Sequence, residues 1–189
     1  MDNTIEKRAD MMRTATYSKD MLKRYEFNIE CVNEKKEKSI LVIGLSPSSN
    51  ELNVTDTTTN YILNNLLPMK YTKITIVNLF ANIGGKLKSE DMSDNADNLD
   101  YIKEVLSRDY NTVLVGYGNS MAGNKVLAEE KEKLDMLLKE CKSNVVELVD
   151  KEDVYCRLHT IHPLFAGQRF SGNWKFRKYI ISEKKGDEE

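Results

Sequence analysis

Apolar and polar residues alternate singly from Tyr25 to Cys31, where Tyr25, Phe27, Ile29 and Cys31 are separated by Glu26, Asn28 and Glu30. A period of two predicts a half-buried strand. Asn33 to Lys38 is a charged turn, and Ser39 to Gly44 is a short, continuously apolar run, the pattern of a strand covered on both faces. Asp56 to Leu67 predicts a helix, stopped by Pro68, whose ring disfavours helical geometry in the residue before it. β-Branched residues over Lys73 to Val77 and Thr112 to Val115 predict two more strands, with a helix over Leu99 to Leu106 between them. Met121 to Cys141 predicts a long amphipathic helix with Leu127, Leu134, Leu137 and Leu138 on one side. Val145 to Val149 fits a strand or a last helical stretch, Val154 to Leu158 predicts the final strand, and Trp174 to Ile181 a closing helix.

Strands alternating with helices predict an α/β fold. The expectation is a three-layer α/β/α sandwich with a mainly parallel central sheet and an added N-terminal strand or hairpin. Residues 1–21 read as an N-terminal helix or flexible segment, 22–182 as one domain, and 183–189 as a charged tail.

The 189 residues suffice to bury a sizeable core without disulfides or metals. The chain is 40% hydrophobic and 31% charged, with no run apolar enough for a membrane span and a polar N-terminus unlike a secretory signal. Cys31, Cys141 and Cys156 are too widely spaced for a zinc or redox pair. A cytoplasmic monomer without metal or cofactor is the simple expectation. The net charge of −2 does not mark a polyanion binder, so any nucleic-acid contact needs a local basic face.

In parallel sheets ligands collect beyond the C-terminal strand ends. The small and polar clusters of this chain follow its apolar runs: Gly44-Leu45-Ser46-Pro47-Ser48-Ser49, Asn78-Leu79-Phe80, Gly116-Tyr117-Gly118, and His162-Pro163-Leu164-Phe165. Four strand ends are thereby expected to converge on one rim.

These segments, in this order, resemble those of the uracil-DNA glycosylase superfamily. The likeness lies in Gly44-Leu45-Ser46-Pro47, Ile76-Val77-Asn78, Leu114-Val115-Gly116-Tyr117-Gly118, and His162-Pro163 with Phe170-Ser171-Gly172 and Phe176. Over Leu22 to Phe165 the chain also resembles a bacterial family catalogued as domain of unknown function 1643, through Arg24-Tyr25, Asp56 with Thr58, Asn78-Leu79-Phe80 and the histidine-proline-leucine-aromatic close.

The first resemblance implies a uracil-DNA glycosylase-like fold and cleavage of an N-glycosidic bond in DNA carrying uracil or a modified base. Such chemistry needs a donor aimed at the base oxygen where charge grows, and a group that polarises water. It implies His162 as donor, Asn78 as reader of the base edge, and Phe80 or Tyr117 as stacking partner. Ser46 stands where the superfamily has an acid or amide, so Asp56 takes over water activation, or the reaction is slow, or the protein binds a base without cutting it. Ser48, Ser49, Arg169 and Lys175 are candidate phosphate contacts, and Leu164 or Phe165 occupies the place of the superfamily's DNA wedge. Plainer readings stand beside these: Asn78 as a turn residue, Phe80, Leu164 and Phe165 as core, Asp56 as a helix cap, and the basic residues as a solvated face. A third class, a hydrolase using Ser46, His162 and Asp56, lacks the second glycine of the nucleophile-elbow pattern.

Overall fold

A computed structural model of the chain describes residues 4–32, 38–49, 51–84, 87–121, 123–150, 160–170 and 174–181. Among these lie seven strands: β1 (Asp10–Tyr17), β2 (Arg24–Val32), β3 (Lys38–Gly44), β4 (Tyr71–Asn78), β5 (Thr112–Val115), β6 (Asn144–Val149) and β7 (Lys175–Lys178). The helices are α1 (Thr57–Leu66), α2 (Ser89–Ser93), α3 (Ala96–Leu106), α4 (Lys125–Lys139) and α5 (Pro163–Arg169).

One sheet runs in the order β1-β2-β4-β3-β5-β6-β7. The central strands β4, β3, β5 and β6 are mutually parallel, while β1, β2 and β7 join antiparallel at the flanks. The expectation of a mainly parallel sheet is therefore corrected to a mixed one. Antiparallel neighbours need only a short connection, and a tight turn at Ser18–Lys23 joins β1 to β2.

The side-chain period of two divides β3 between two cores. Ile40 and Val42 join Ile62, Leu63 and Leu66 of α1 and Ala166 of α5 on one face. Leu41 and Ile43 join Ile102 and Val105 of α3 and Leu127, Leu134 and Leu138 of α4 on the other. This is why the Ser39–Gly44 run carries no polar face. The fold is α/β, with helices on both sides of the sheet.

Asp56 caps α1: its carboxylate accepts from the Thr59 amide at 2.8 Å and from Thr59 Oγ1 at 3.1 Å. The helix does stop at Pro68, but for another reason than expected. Leu67 keeps helical angles (φ −60°, ψ −44°), and it is the missing N–H of Pro68 that ends the ladder. α4 begins at Lys125 instead of Met121, because Met121 (φ 60°) and Gly123 (φ 89°) are left-handed and Asn124 supplies the cap.

Three expectations are overturned. Part of the N-terminal segment read as helix or flexible is β1, paired with β2 in one register from Asp10↔Val32 to Thr16↔Glu26, with a shift before Tyr17↔Arg24. The closing helix over Trp174 to Ile181 is β7, with Phe176 opposite Leu148 and packed on the α1-side core. The stretch after His162, for which no helix was expected, is α5, and Pro163 is preset at its first helical position. The strand expected over Val154 to Leu158 and the tail 183–189 lie outside the described residues.

Candidate functional site

β3 and β4 end side by side, with Gly44 paired to Asn78. A β-carbon at residue 44 would stand 2.6 Å from Asn78 Oδ1, so only glycine leaves room for the carboxamide across the strand end. The backbone there is pinned from α3: Asn98 Nδ2 donates to the carbonyls of Asn78 (3.1 Å) and Leu79 (2.9 Å), and Asn95 Nδ2 donates to that of Leu79 (2.9 Å). The loop after β3 is tied alongside, the Leu79 and Phe80 amides donating to the carbonyls of Gly44 and Leu45.

His162 is positioned from two directions. As the N-cap of α5, its Nδ1 accepts from the Leu164 amide at 3.1 Å, which leaves the ring proton on Nε2. Behind it, Gly116 receives the Pro163 ring and Gly118 (φ 75°) lies against the His162 Cβ. The two glycines around Tyr117 are thus explained by close approach. α5 in turn lies on α1, Gly167 fitting against the Tyr61 ring, and this brings the His162 end of α5 to the Asp56 end of α1.

One cavity of about 160 Å³ results, lined by Ser46, Asp56, Asn78 and His162 together with Arg24, Ser48, Thr58 and others. The sequence-expected carboxamide, imidazole and serine turn therefore share one space. Asn78 is 5% exposed, and its Nδ2 is buried without a partner among the described residues. Burial pushes the imidazole of His162 below its ordinary 6.5, against the opposing pull of the Asp56 carboxylate. A neutral ring with its N–H on Nε2 can donate to an acceptor but cannot take a proton there. Nor can Nδ1, an acceptor already, hand a proton to Asp56 in the manner of a serine-hydrolase triad. Asp56 both caps α1 and lines the cavity, so its plain and functional readings coexist.

Other candidates fall elsewhere. Phe80 and Tyr117 are buried in the α3/α4-side core, and the Tyr117 hydroxyl meets that of Tyr179 at 3.0 Å. Neither lines the cavity, so stacking on a base there does not fall to them. Ser49 accepts through its carbonyl from Arg24 and through its hydroxyl from the Glu51 amide, a turn-forming role. Ser48 is exposed at the cavity. Leu164 and Phe165 ride on α5, Phe165 exposed and edge-on to Phe170 at 6.2 Å. Arg169 is exposed at the end of α5, and Lys175 is exposed on the edge strand β7. Ser171 and Gly172 lie outside the described residues.

Sequence reasoning missed Arg24 as a site residue; its place in the arginine-tyrosine step was the one available signal. It also missed Asn95 and Asn98, whose role as struts depends on a long-range contact. Among the described residues no helix is long and apolar enough to cross a membrane.

No match to the chain is found among curated proteins or among solved structures. A family model does match, over residues 24–164, and the match spans β2 through the His162-Pro163 turn that builds the cavity. The chain belongs to the family described as protein of unknown function DUF1643.

Proposed function

We propose that the cavity binds a nucleobase, and that the protein is a uracil-DNA glycosylase-like enzyme hydrolysing the N-glycosidic bond of uracil or a modified base in DNA. The observation that carries the reading is that Asn78, whose carboxamide Nδ2 is buried and unpartnered among the described residues, lines the same small space as His162, whose ring proton is on Nε2. Buried amides are almost always hydrogen-bonded, so an orphan at a cavity wall points to a ligand edge offering acceptors. At about 160 Å³ the space lies below the ~300–1,000 Å³ typical of drug-sized ligands and suits a single ring.

In this reading the bond from C1′ to the base nitrogen breaks and its electron pair leaves with the base. Charge collects on a base carbonyl oxygen, where the Nε2–H of His162 donates; such a donor contributes ~2.7–4 kcal/mol. Water adds to C1′ and gives its proton to Asp56, the acid lining the cavity. Phe165, exposed on the helix that His162 caps, is the wedge that fills the vacated stack, and Arg169 contacts a phosphate.

A second reading, base binding without cleavage, is favoured by one feature: both Asp56 oxygens are engaged by Thr59, and Ser46 offers only a hydroxyl. Oligonucleotides containing uracil, hypoxanthine or hypermodified pyrimidines separate the two. The expected result is an alkali-labile abasic site with one of them, absent in His162→Ala. Base-dependent binding with no abasic product would select the second reading, and neither product nor base-dependent binding would discard both.

A further inference from the structure

Arg24 opens β2 and is 5% exposed. Its Nη1 donates to the Ser49 carbonyl at 2.9 Å, and its guanidinium lies 5.1 Å from the Phe27 ring centroid. Its Nε is buried with no partner, and no carboxylate of the described residues stands within ion-pair distance of it, the Asp56 carboxylate attracting it only from farther off. The same side chain lines the cavity with Asn78 and His162. Arginine is almost never fully buried unless paired, because taking a charge out of water is costly. A planar guanidinium tethered at one corner and stacked on a ring has its other edge preset for a carboxylate or phosphate oxygen.

We propose that Arg24 is the anion-recognising residue of this cavity, its counterion being a singly charged oxyanion on the bound molecule. The hydroxyls of Ser48 and Thr58, which also line the space and have no partner among the described residues, supply further donors. Asp56 limits the charge: a carboxylate facing the same space repels a dianion more than a monoanion. Two sources meet the requirement, a carboxylate carried by the base and the phosphodiester of the nucleotide. The identity of the rest of the ligand rests on the base-binding reading; the need for an anion does not.

Five probes and two variants test this by calorimetric titration. Acetate and dimethyl phosphate carry an anion without a base, and thymidine a base without an anion. 5-Carboxyuracil and thymidylyl-thymidine carry both, from the two sources. At least one of the last two is expected to bind the wild type about tenfold or more tighter than thymidine. In Arg24→Met that preference disappears while thymidine binding persists, and the free variant melts no lower than the wild type, since an unpaired buried charge has been removed. Arg24→Lys, which keeps the charge without the fork, retains a weakened preference. Equal binding of neutral and anionic probes, a preference that survives Arg24→Met, or no binding of any anionic probe would overturn the proposal. Unfolding of Arg24→Met together with an undiminished preference in Arg24→Lys would do so as well, by marking Arg24 as a structural cation. Binding of acetate or dimethyl phosphate with no gain from a base would instead keep Arg24's role and discard the base-binding reading.

Discussion

Gly118 lies against His162 so closely that a β-carbon at residue 118 would stand 2.8 Å from the histidine Cβ, and its φ of 75° lies in the left-handed region that favours glycine. Gly118→Ala therefore meets both backbone strain and a clash with the cavity histidine. The expected loss is about 1–3 kcal/mol of stability, with ligand binding weakened further by displacement of the imidazole. Gly123→Ala is the control: φ there is 89°, but nothing lies within 4 Å of the added carbon. Urea melts of the two variants should show the larger loss for residue 118, and only that variant should alter binding. Equal losses with binding intact would show that the glycine serves the turn and not the histidine.

Asn78 contributes its carbonyl to the fold, through Asn98, but its carboxamide donates to nothing among the described residues. Asn78→Ala removes an orphan donor and leaves the backbone contact in place. Stability is expected to change by less than about 1 kcal/mol, well under the usual cost of truncating a satisfied buried amide. Base-dependent binding should be lost. A large drop in melting temperature would show that the side chain is a strut.

His162 gives the protein a predictable response to acid. Its folded-state pKa is lowered, so between the lowered value and the ordinary 6.5 the unfolded chain binds a proton that the folded chain does not. Stability from this group is therefore complete above 6.5 and is lost as pH falls through the window below it. Protonation at Nδ1 would also remove the acceptor that caps α5. His162→Asn keeps a capping side chain without the titration. Melting curves between about pH 8 and pH 5 should show a smaller acid loss for the variant than for the wild type. Parallel curves would mean that the imidazole does not titrate in the window.

Where the physics was local, the sequence was legible. Continuous apolar residues placed β3, four residues placed β5 at its observed bounds, and Asp56 marked the start of α1. Convergence of Ser46, Asn78 and His162 followed from strand ends gathering at one rim. Strand direction was not legible, because it depends on connections more than on strand composition. β1 escaped because none of its residues is fully buried and its half-buried face is Arg13, Ala15 and Tyr17, too mixed in polarity to read as an apolar stripe. β7 did carry a signal, Trp174 and Phe176 alternating with Lys175 and Arg177, but so short an alternation within Trp174 to Ile181 also fits a helix. Phe80 and Tyr117 were drawn to the site by adjacency in sequence, whereas the strand ends send their side chains to the far core.

Ser46→Asp tests whether water activation limits the proposed reaction. Ser46 lines the cavity beyond β3 and has no hydrogen-bond partner among the described residues, yet a serine hydroxyl is a poor acceptor of water's proton near neutral pH. The nearby carboxylate, Asp56, is occupied with Thr59. Ser46→Asp places a second carboxylate in the same space, where the unpaired charge of Arg24 offsets its burial. If water activation limits the rate, base release should rise by about 10²-fold, the lower range for a positioned base. Asp56→Asn removes charge while keeping a good cap, so it isolates chemistry from folding. It should slow the wild type strongly and Ser46→Asp only weakly. Single-turnover release of base from oligonucleotide reads both effects. A rate unchanged in Ser46→Asp but abolished by Asp56→Asn would place water on the α1 side of the cavity and leave the β3 loop a purely binding role.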